Sequence, residues 1–163
     1  MSKLEQIQYL YAYNEWASNK LLDAVNGVSD EALNATPTSS WGSIVTDFAH
    51  IAGAQVVWLH RWREGQNPAS VVDEQQVETM AEVRDLFERS HADLHGYVDS
   101  LTDGQVNAAA PYKDSAGNSN KRPLWMMLTH VVNHGTYHRG EIAAALNVMG
   151  HSPGNLDMTV FSR

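Results

Sequence analysis

The sequence contains no cysteine among its 163 residues. The chain therefore forms no disulfide bond and supplies no thiolate of its own as a metal ligand or nucleophile. No apolar run reaches the roughly 18 residues that a membrane-spanning helix needs. The first residues, Met1 to Gln6, lack the basic and apolar regions of a secretory signal. We therefore expect a cytoplasmic protein that has no membrane partner.

Glycine and proline are scarce, at 11 and 5 residues, which argues against a turn-rich all-β chain. Basic residues are few as well: Lys and Arg number 11 against 19 Asp and Glu, so the formal net charge is -8. Lys121 and Arg122 are the only adjacent basic pair. Because a phosphate backbone would be repelled, we expect no nucleic-acid partner. The length and the 43% hydrophobic content predict one globular domain over residues 1–163.

Four long segments show the apolar periodicity of amphipathic helices. The first and third begin with capping-box patterns, at Ser2 with Glu5 and at Thr79 with Glu82. Short helical turns are expected near Ser29–Leu33 and Thr102–Val106, and an exposed loop with room for a hairpin over 107–122. The fold class predicted is all-α, a four-helix bundle. Its long helices are expected over about Lys3–Asn26, Trp41–Arg63, Met80–Leu101 and Pro123–Met149.

Histidine is over-represented, with 8 residues, and His130, His134 and His138 follow one another at intervals of four. Residues i and i+4 of a helix lie on one face. With 100° per residue, His138 lies about 15° and His134 about 50° from the centre of the apolar stripe, whereas His130 lies about 90° away. We therefore predict that His134 and His138 face the interior and bind a divalent metal ion. His130 is assigned to the surroundings of the site or to the surface.

A metal site needs a further ligand from a facing helix. The second helix offers His50 and His60, and periodicity alone does not favour His50, which lies nearly opposite the main apolar stripe. A rival pair, His91 and His95, lies towards the edge of the third stripe and is predicted to be solvated. A zinc-protease motif is not indicated, because Gly135 stands where H-E-x-x-H carries its general base.

The segment 128–142, L-T-H-V-V-N-H-G-T-Y-H-R-G-E-I, resembles the C-terminal signature of the DinB/YfiT-like proteins, written H-v-x-N-H-x-x-x-H-R-G-Q-i. Residues 43–51 resemble the second-helix motif of that family, and 13–17 with Leu21-Leu22 resemble its first-helix motif. The resemblance implies a four-helix bundle, often a homodimer, with a metal ion on His50, His134 and His138. Glu141 departs from the pattern, which usually has Gln there.

Three imidazoles leave coordination positions open for water or a thiolate. Zn²⁺ is the first choice, and Ni²⁺ (as a purification substitute), Fe²⁺ or Mn²⁺ also suit such ligands. The resemblance implies an enzyme class without fixing it, and the first hypothesis is a metal-dependent S-transferase that activates a low-molecular-weight thiol, such as bacillithiol, mycothiol or glutathione, for attack on a small-molecule substrate. The alternatives are a metal-dependent hydrolase, with Asp47 or Glu141 as base, and a non-enzymatic metal-binding stress-response protein. A large cleft beside an open site would favour the two enzymes.

Overall fold

The computed structural model describes residues 1–162. Within them, four long helices account for most of the chain, as predicted, and the all-α four-helix bundle is confirmed. The long helices are α1 (Lys3–Ala24), α3 (Ile44–Glu64), α4 (Met80–Asp99) and α6 (Leu124–Val148). Two short helices, α2 (Asp30–Ala35) and α5 (Asp103–Asn107), lie where helical turns were expected. Single-turn 3₁₀ helices occur at Glu74–Gln76 and Met158–Val160.

The long helices form a ring in which α1 packs against α4 and α6, and α3 packs against the same two helices. Helices α3 and α6 are therefore neighbours, and their facing surfaces can share ligands for one ion. Buried side chains form two apolar clusters, one around Tyr11, Leu94 and Leu128 and the other around Phe48 and Ile142. No helix within residues 1–162 is both long enough and apolar enough to span a membrane.

Helix α3 begins at Ile44, later than the predicted Trp41, because Ser43 is its N-cap. The Ser43 side chain accepts the backbone N–H of Thr46, and Thr46 Oγ1 accepts the backbone N–H of Ser43 at 2.9 Å. This reciprocal capping satisfies two donors that the helix itself cannot pair. Trp41 is thereby left in the loop that precedes the helix, where it contacts the site described below.

The chain leaves α3 through Gly65, whose φ of 70° is the left-handed conformation that ends many helices. The polar connection that follows brings the 3₁₀ helix Glu74–Gln76 back against α3. Further along, the loop that left room for a hairpin contains one: β1 (Ala109–Lys113) pairs antiparallel with β2 (Ser119–Pro123). Both connections thus return to the side of α3.

A layer of buried polar residues separates the two apolar clusters. Asn14, which interrupts the stripe of α1, is 1% exposed, and its Oδ1 accepts a hydrogen bond from Arg139 Nη1 at 2.6 Å. Arg139 also donates from Nη2 to Thr136 Oγ1 at 2.9 Å. The arginine next to His138 therefore fixes α6 to α1.

Candidate metal centre

Helices α3 and α6 bring His50, His134 and His138 together. One ring nitrogen from each lies within 4.8 Å of the others. The Nε2 atoms of His50 and His134 are 3.1 Å apart. Two nitrogens bound at about 2.0–2.1 Å to one tetrahedral Zn²⁺ would lie roughly 3.3 Å apart. The spacing of the three predicted ligands therefore suits a single small cation.

Carboxylates lie behind two of the three imidazoles. Glu74 Oε1 lies 3.1 Å from Nδ1 of His50, and Asp47 Oδ1 lies 2.8 Å from Nδ1 of His138. A carboxylate at Nδ1 favours the tautomer with its proton there and leaves the lone pair on Nε2. This arrangement of carboxylate, histidine and ion recurs around protein-bound metals and orients the ligand ring.

Burial keeps His50 and His134 in the form that binds metals. Desolvation, together with the positive charges of His138, His50 and His130, lowers the pKa of His134 to about 3. Desolvation also lowers the pKa of His50, although its contact with Glu74 opposes the shift. Both imidazoles are therefore neutral near pH 7, and neutral imidazole is the ligating form.

The buried carboxylate of Asp47, beside His138, would be stabilised by a nearby positive charge. Asp47 is fully buried, and neither of its oxygens has a well-aligned hydrogen bond among residues 1–162. Glu141 Oε2 lies 3.4 Å from the same ring nitrogen of His138. A buried carboxylate is costly unless a cation or a donor compensates it. A divalent ion on the opposite nitrogen of His138 would supply that compensation through the ring.

The loop before α3 covers one side of the histidines. The Trp41 ring stacks on His50, with centroids 3.7 Å apart and planes inclined by 18°. Ser40 Oγ donates to Glu141 Oε1 at 2.8 Å and lies 3.0 Å from the hydroxyl of Tyr137. These contacts fasten the loop to both helices and hold the ring of His50 in place.

A cavity of about 360 Å³ opens beside the site, with His50, His134 and Glu74 in its wall. Its other wall residues include Trp58 and Arg61 of α3. A larger cavity of about 610 Å³, lined in part by acidic residues, contains none of the three histidines. The smaller cavity is therefore the candidate substrate site, and two of the candidate ligands, His50 and His134, are accessible from it.

The other histidines lie outside the cluster. His130 is exposed, and its ring packs against Trp58 with centroids 5.1 Å apart, at the edge of the cavity. His60 lies 3.4 Å from Glu64. The prediction that His91 and His95 are both solvated is wrong for His91, which is 5% exposed within the polar layer.

His95 is partly exposed and bonds to Glu15 at 2.8 Å. Glu74 and Trp41 were missed as site residues. No periodic pattern marks them, because both lie in connections between helices.

The model of the DinB family matches residues 1–163. The chain belongs to the DinB family. Protein DinB of Bacillus subtilis (strain 168) is 24% identical over 156 residues, which cover 93% of this chain and 91% of that protein. The family resemblance seen in the histidine signature is thereby confirmed.

Solved structures of DinB-like proteins share the fold. YfiT from Bacillus subtilis, described as a probable metal-dependent hydrolase with an unusual four-helix bundle topology, has a TM-score of 0.72 at 18% identity, covering 91% of this chain and 90% of its own. A DinB-like protein from Bacillus cereus ATCC 10987 also has a TM-score of 0.72, at 16% identity, covering 93% of this chain and 95% of its own. At these identities the similarity establishes the fold of this DinB family member.

Proposed function

We propose that this DinB family protein is a metal-dependent hydrolase of small molecules, with His50, His134 and His138 as the metal ligands. The observation that carries the proposal is Glu74, a carboxylate 3.1 Å from Nδ1 of His50, in the wall of the cavity that His50 and His134 also line. Hydrolysis needs a base beside the attacking water. The description of YfiT as a probable metal-dependent hydrolase supports the same class.

His50, His134 and His138 would hold a divalent ion, which would lower the pKa of a water molecule towards neutrality and polarise a substrate carbonyl. Glu74 has two tasks in this scheme. Its Oε1 orients His50, and its Oε2 has no hydrogen bond among residues 1–162 and is available to accept a proton. Asp47, one of the two bases considered from the sequence, is fully buried on the Nδ1 side of His138. Its place there fits orientation of the ring.

The metal assignment is tested by elemental analysis of the purified protein. We expect about one divalent ion per chain, with Zn²⁺ as the first candidate. His134→Ala and His138→Ala should each lose most of it, because two imidazoles do not complete a stable site. His130→Ala is the matched control on the same helix and should keep its metal. Full metal retention in His138→Ala would contradict the assignment.

The role of Glu74 is tested with Glu74→Gln, which keeps an oxygen to face His50 but cannot take up a proton. The metal-loaded variant should retain its ion and lose about 10²- to 10⁴-fold in kcat on chromogenic carboxylic esters, the usual contribution of a general base. Asp73→Asn changes the neighbouring carboxylate, outside the cavity wall, and serves as control. Unchanged kcat in Glu74→Gln would remove the base from the scheme.

Thiol transfer is the second candidate, and the absence of cysteine defines how it would work. A substrate thiol would have to enter the cavity, where a divalent ion favours its thiolate form. The two functions separate when metal-loaded protein receives an electrophilic chloroarene with and without bacillithiol, mycothiol or glutathione. Thiol-dependent adducts that vanish in His138→Ala, together with no ester or amide cleavage, would replace the hydrolase by the S-transferase.

A further inference from the structure

Arg61 lies at the far end of the cavity that begins at His50 and His134. Both Arg61 and His50 are on α3 and both line the cavity, about three helical turns or roughly 16 Å apart along the axis. The side chains of a helix lean towards its N-terminus, so the guanidinium reaches back towards the histidines. The cavity is thus elongated, with a candidate metal site at one end and a fixed cation at the other.

The guanidinium of Arg61 is buried without an acidic partner. The residue is only 6% exposed, and within residues 1–162 no carboxylate lies within 4.0 Å of its nitrogens. Its Nε donates to Asn67 Oδ1 at 2.8 Å, and its Nη2 donates to Ser115 Oγ at 3.1 Å. Its Nη1 has no hydrogen bond among these residues. Because a buried cation with neutral partners is costly, this site favours an incoming anion.

The acidic residue of the adjacent hairpin turn does not serve as that anion. Asp114 Oδ1 accepts the backbone N–H groups of Ala116 and Asn118. Its Oδ2 accepts the side-chain amides of Asn118 and Asn120. The carboxylate is therefore committed to the turn that holds Ser115 beside Arg61.

The wall between the two ends suits an apolar chain. Gly53, Ala54 and Val57 of α3 lie along it, and Trp58 stacks beneath Arg61 with the guanidinium 4.8 Å from its ring. Stacking on an indole fixes the plane of the guanidinium, which prepares it for a two-point contact with a carboxylate. At the opposite end, in the metal-free protein, the negative charge of Glu74 would repel a carboxylate and so favour its binding at Arg61.

We propose that the cavity binds an elongated substrate with a carboxylate at one end, recognised by Arg61, and an apolar chain that carries the reacting group to the histidines. This deepens the proposed function by naming its substrate class and rests on that function only for the reacting end. A carboxylate fits better than a phosphate dianion, because one arginine and one hydroxyl supply few donors and the protein carries a net charge of -8.

The test measures binding to EDTA-treated protein, so it does not depend on activity. Isothermal titration compares octanoate with octanamide, which has the same length and no charge. We expect octanoate to bind at least about tenfold more tightly, as a charge-assisted bond to a buried arginine predicts. Arg61→Met should abolish the preference. Arg63→Met, which changes an exposed arginine of the same helix near Asp93, should retain it.

Since Arg61 also ties α3 to the hairpin, Arg61→Lys is the second variant. It keeps the charge but loses the planar fork, so the preference should fall several-fold. Equal affinities of the native protein for octanoate and octanamide, or an undiminished preference in both folded Arg61 variants, would overturn the proposal. Ester hydrolysis without the octanoate preference would refute this inference alone. The preference without any hydrolysis would refute the proposed function and leave the carboxylate site intact.

Discussion

Gly135, between the candidate ligands His134 and His138, has a packing reason to be glycine. A Cβ at this position would lie 2.8 Å from Arg139 Nη1 and 3.0 Å from Asn14 Oδ1. Both neighbours are buried and bonded to each other. The same glycine argued against a zinc-protease motif. Because it has no side chain, it leaves room for the hydrogen bond between α1 and α6.

We predict that Gly135→Ala destabilises the protein, although alanine is favoured over glycine in a helix by about 1 kcal/mol. The methyl group must displace Arg139 or Asn14 and break a buried charged hydrogen bond, which costs about 1.5–3 kcal/mol. Gly140→Ala on the same helix, where a Cβ meets nothing within 4 Å, should be neutral or stabilising. Urea denaturation measures both. Equal stabilisation by the two substitutions would contradict the packing argument.

At the scale of the element, periodicity located all four long helices and the inward side of α6. It worked there because His130, buried less than His138, lies away from the apolar stripe. It could not select His50, because nearly every residue of the first turns of α3, from Ile44 to Ala49, is buried. A helix that is covered on most sides has no single stripe to read, and the choice of His50 came from the family resemblance.

The positions of the segments that connect the helices were the part of the structure least predictable from the sequence. Glu74 reaches the site from the polar stretch between α3 and α4, and Ser115 reaches Arg61 from the hairpin turn. Only tertiary packing decides where such segments return, since they carry no periodic pattern. The prediction that His91 is solvated was wrong for a related reason. A position at the edge of an apolar stripe does not show that a histidine can be buried in the polar layer inside the bundle.

At the scale of the whole molecule, large aromatic residues have partners within the chain. Trp62 is buried and stacks on Tyr97 at 5.7 Å, and Phe161 packs against Trp16 at 5.5 Å. These rings therefore give no reason of their own to expect a second copy of the chain. The proposal of a homodimer now rests on the family resemblance and on apolar side chains such as Met126, which is 45% exposed near the start of α6.

We predict that light scattering of micromolar protein gives about twice the 18.1 kDa mass of the chain. Exposed apolar side chains gain free energy when a second copy covers them, and closed pairs are the commonest assembly of identical chains. The measurement should be repeated in EDTA, which separates pairing from metal bridging between molecules. A mass of one chain at this concentration would refute the homodimer.

The stability of the whole fold should fall in mild acid, and His91 supplies a measurable share of this dependence. Burial lowers the pKa of His91 to about 4, and the positive charges of His95 and Arg139 act in the same direction. The unfolded chain has the ordinary histidine pKa of about 6.5, so it binds more protons than the native state below that pH. The stabilisation is therefore complete above pH 6.5 and is lost as the pH falls towards 4.

We predict that His91→Leu removes about 2 kcal/mol from the difference in unfolding free energy between pH 7.5 and pH 5, because leucine has no proton to gain on unfolding. The buried Nε2 of His91 has no hydrogen-bond partner among residues 1–162, so its loss leaves no stranded group. Urea titrations of EDTA-treated protein at both pH values give the difference. His151→Leu, which changes an exposed histidine, is the control. The same pH dependence in His91→Leu as in the native protein would contradict the prediction. It would mean that His91 takes up its proton while it is still buried in the folded protein.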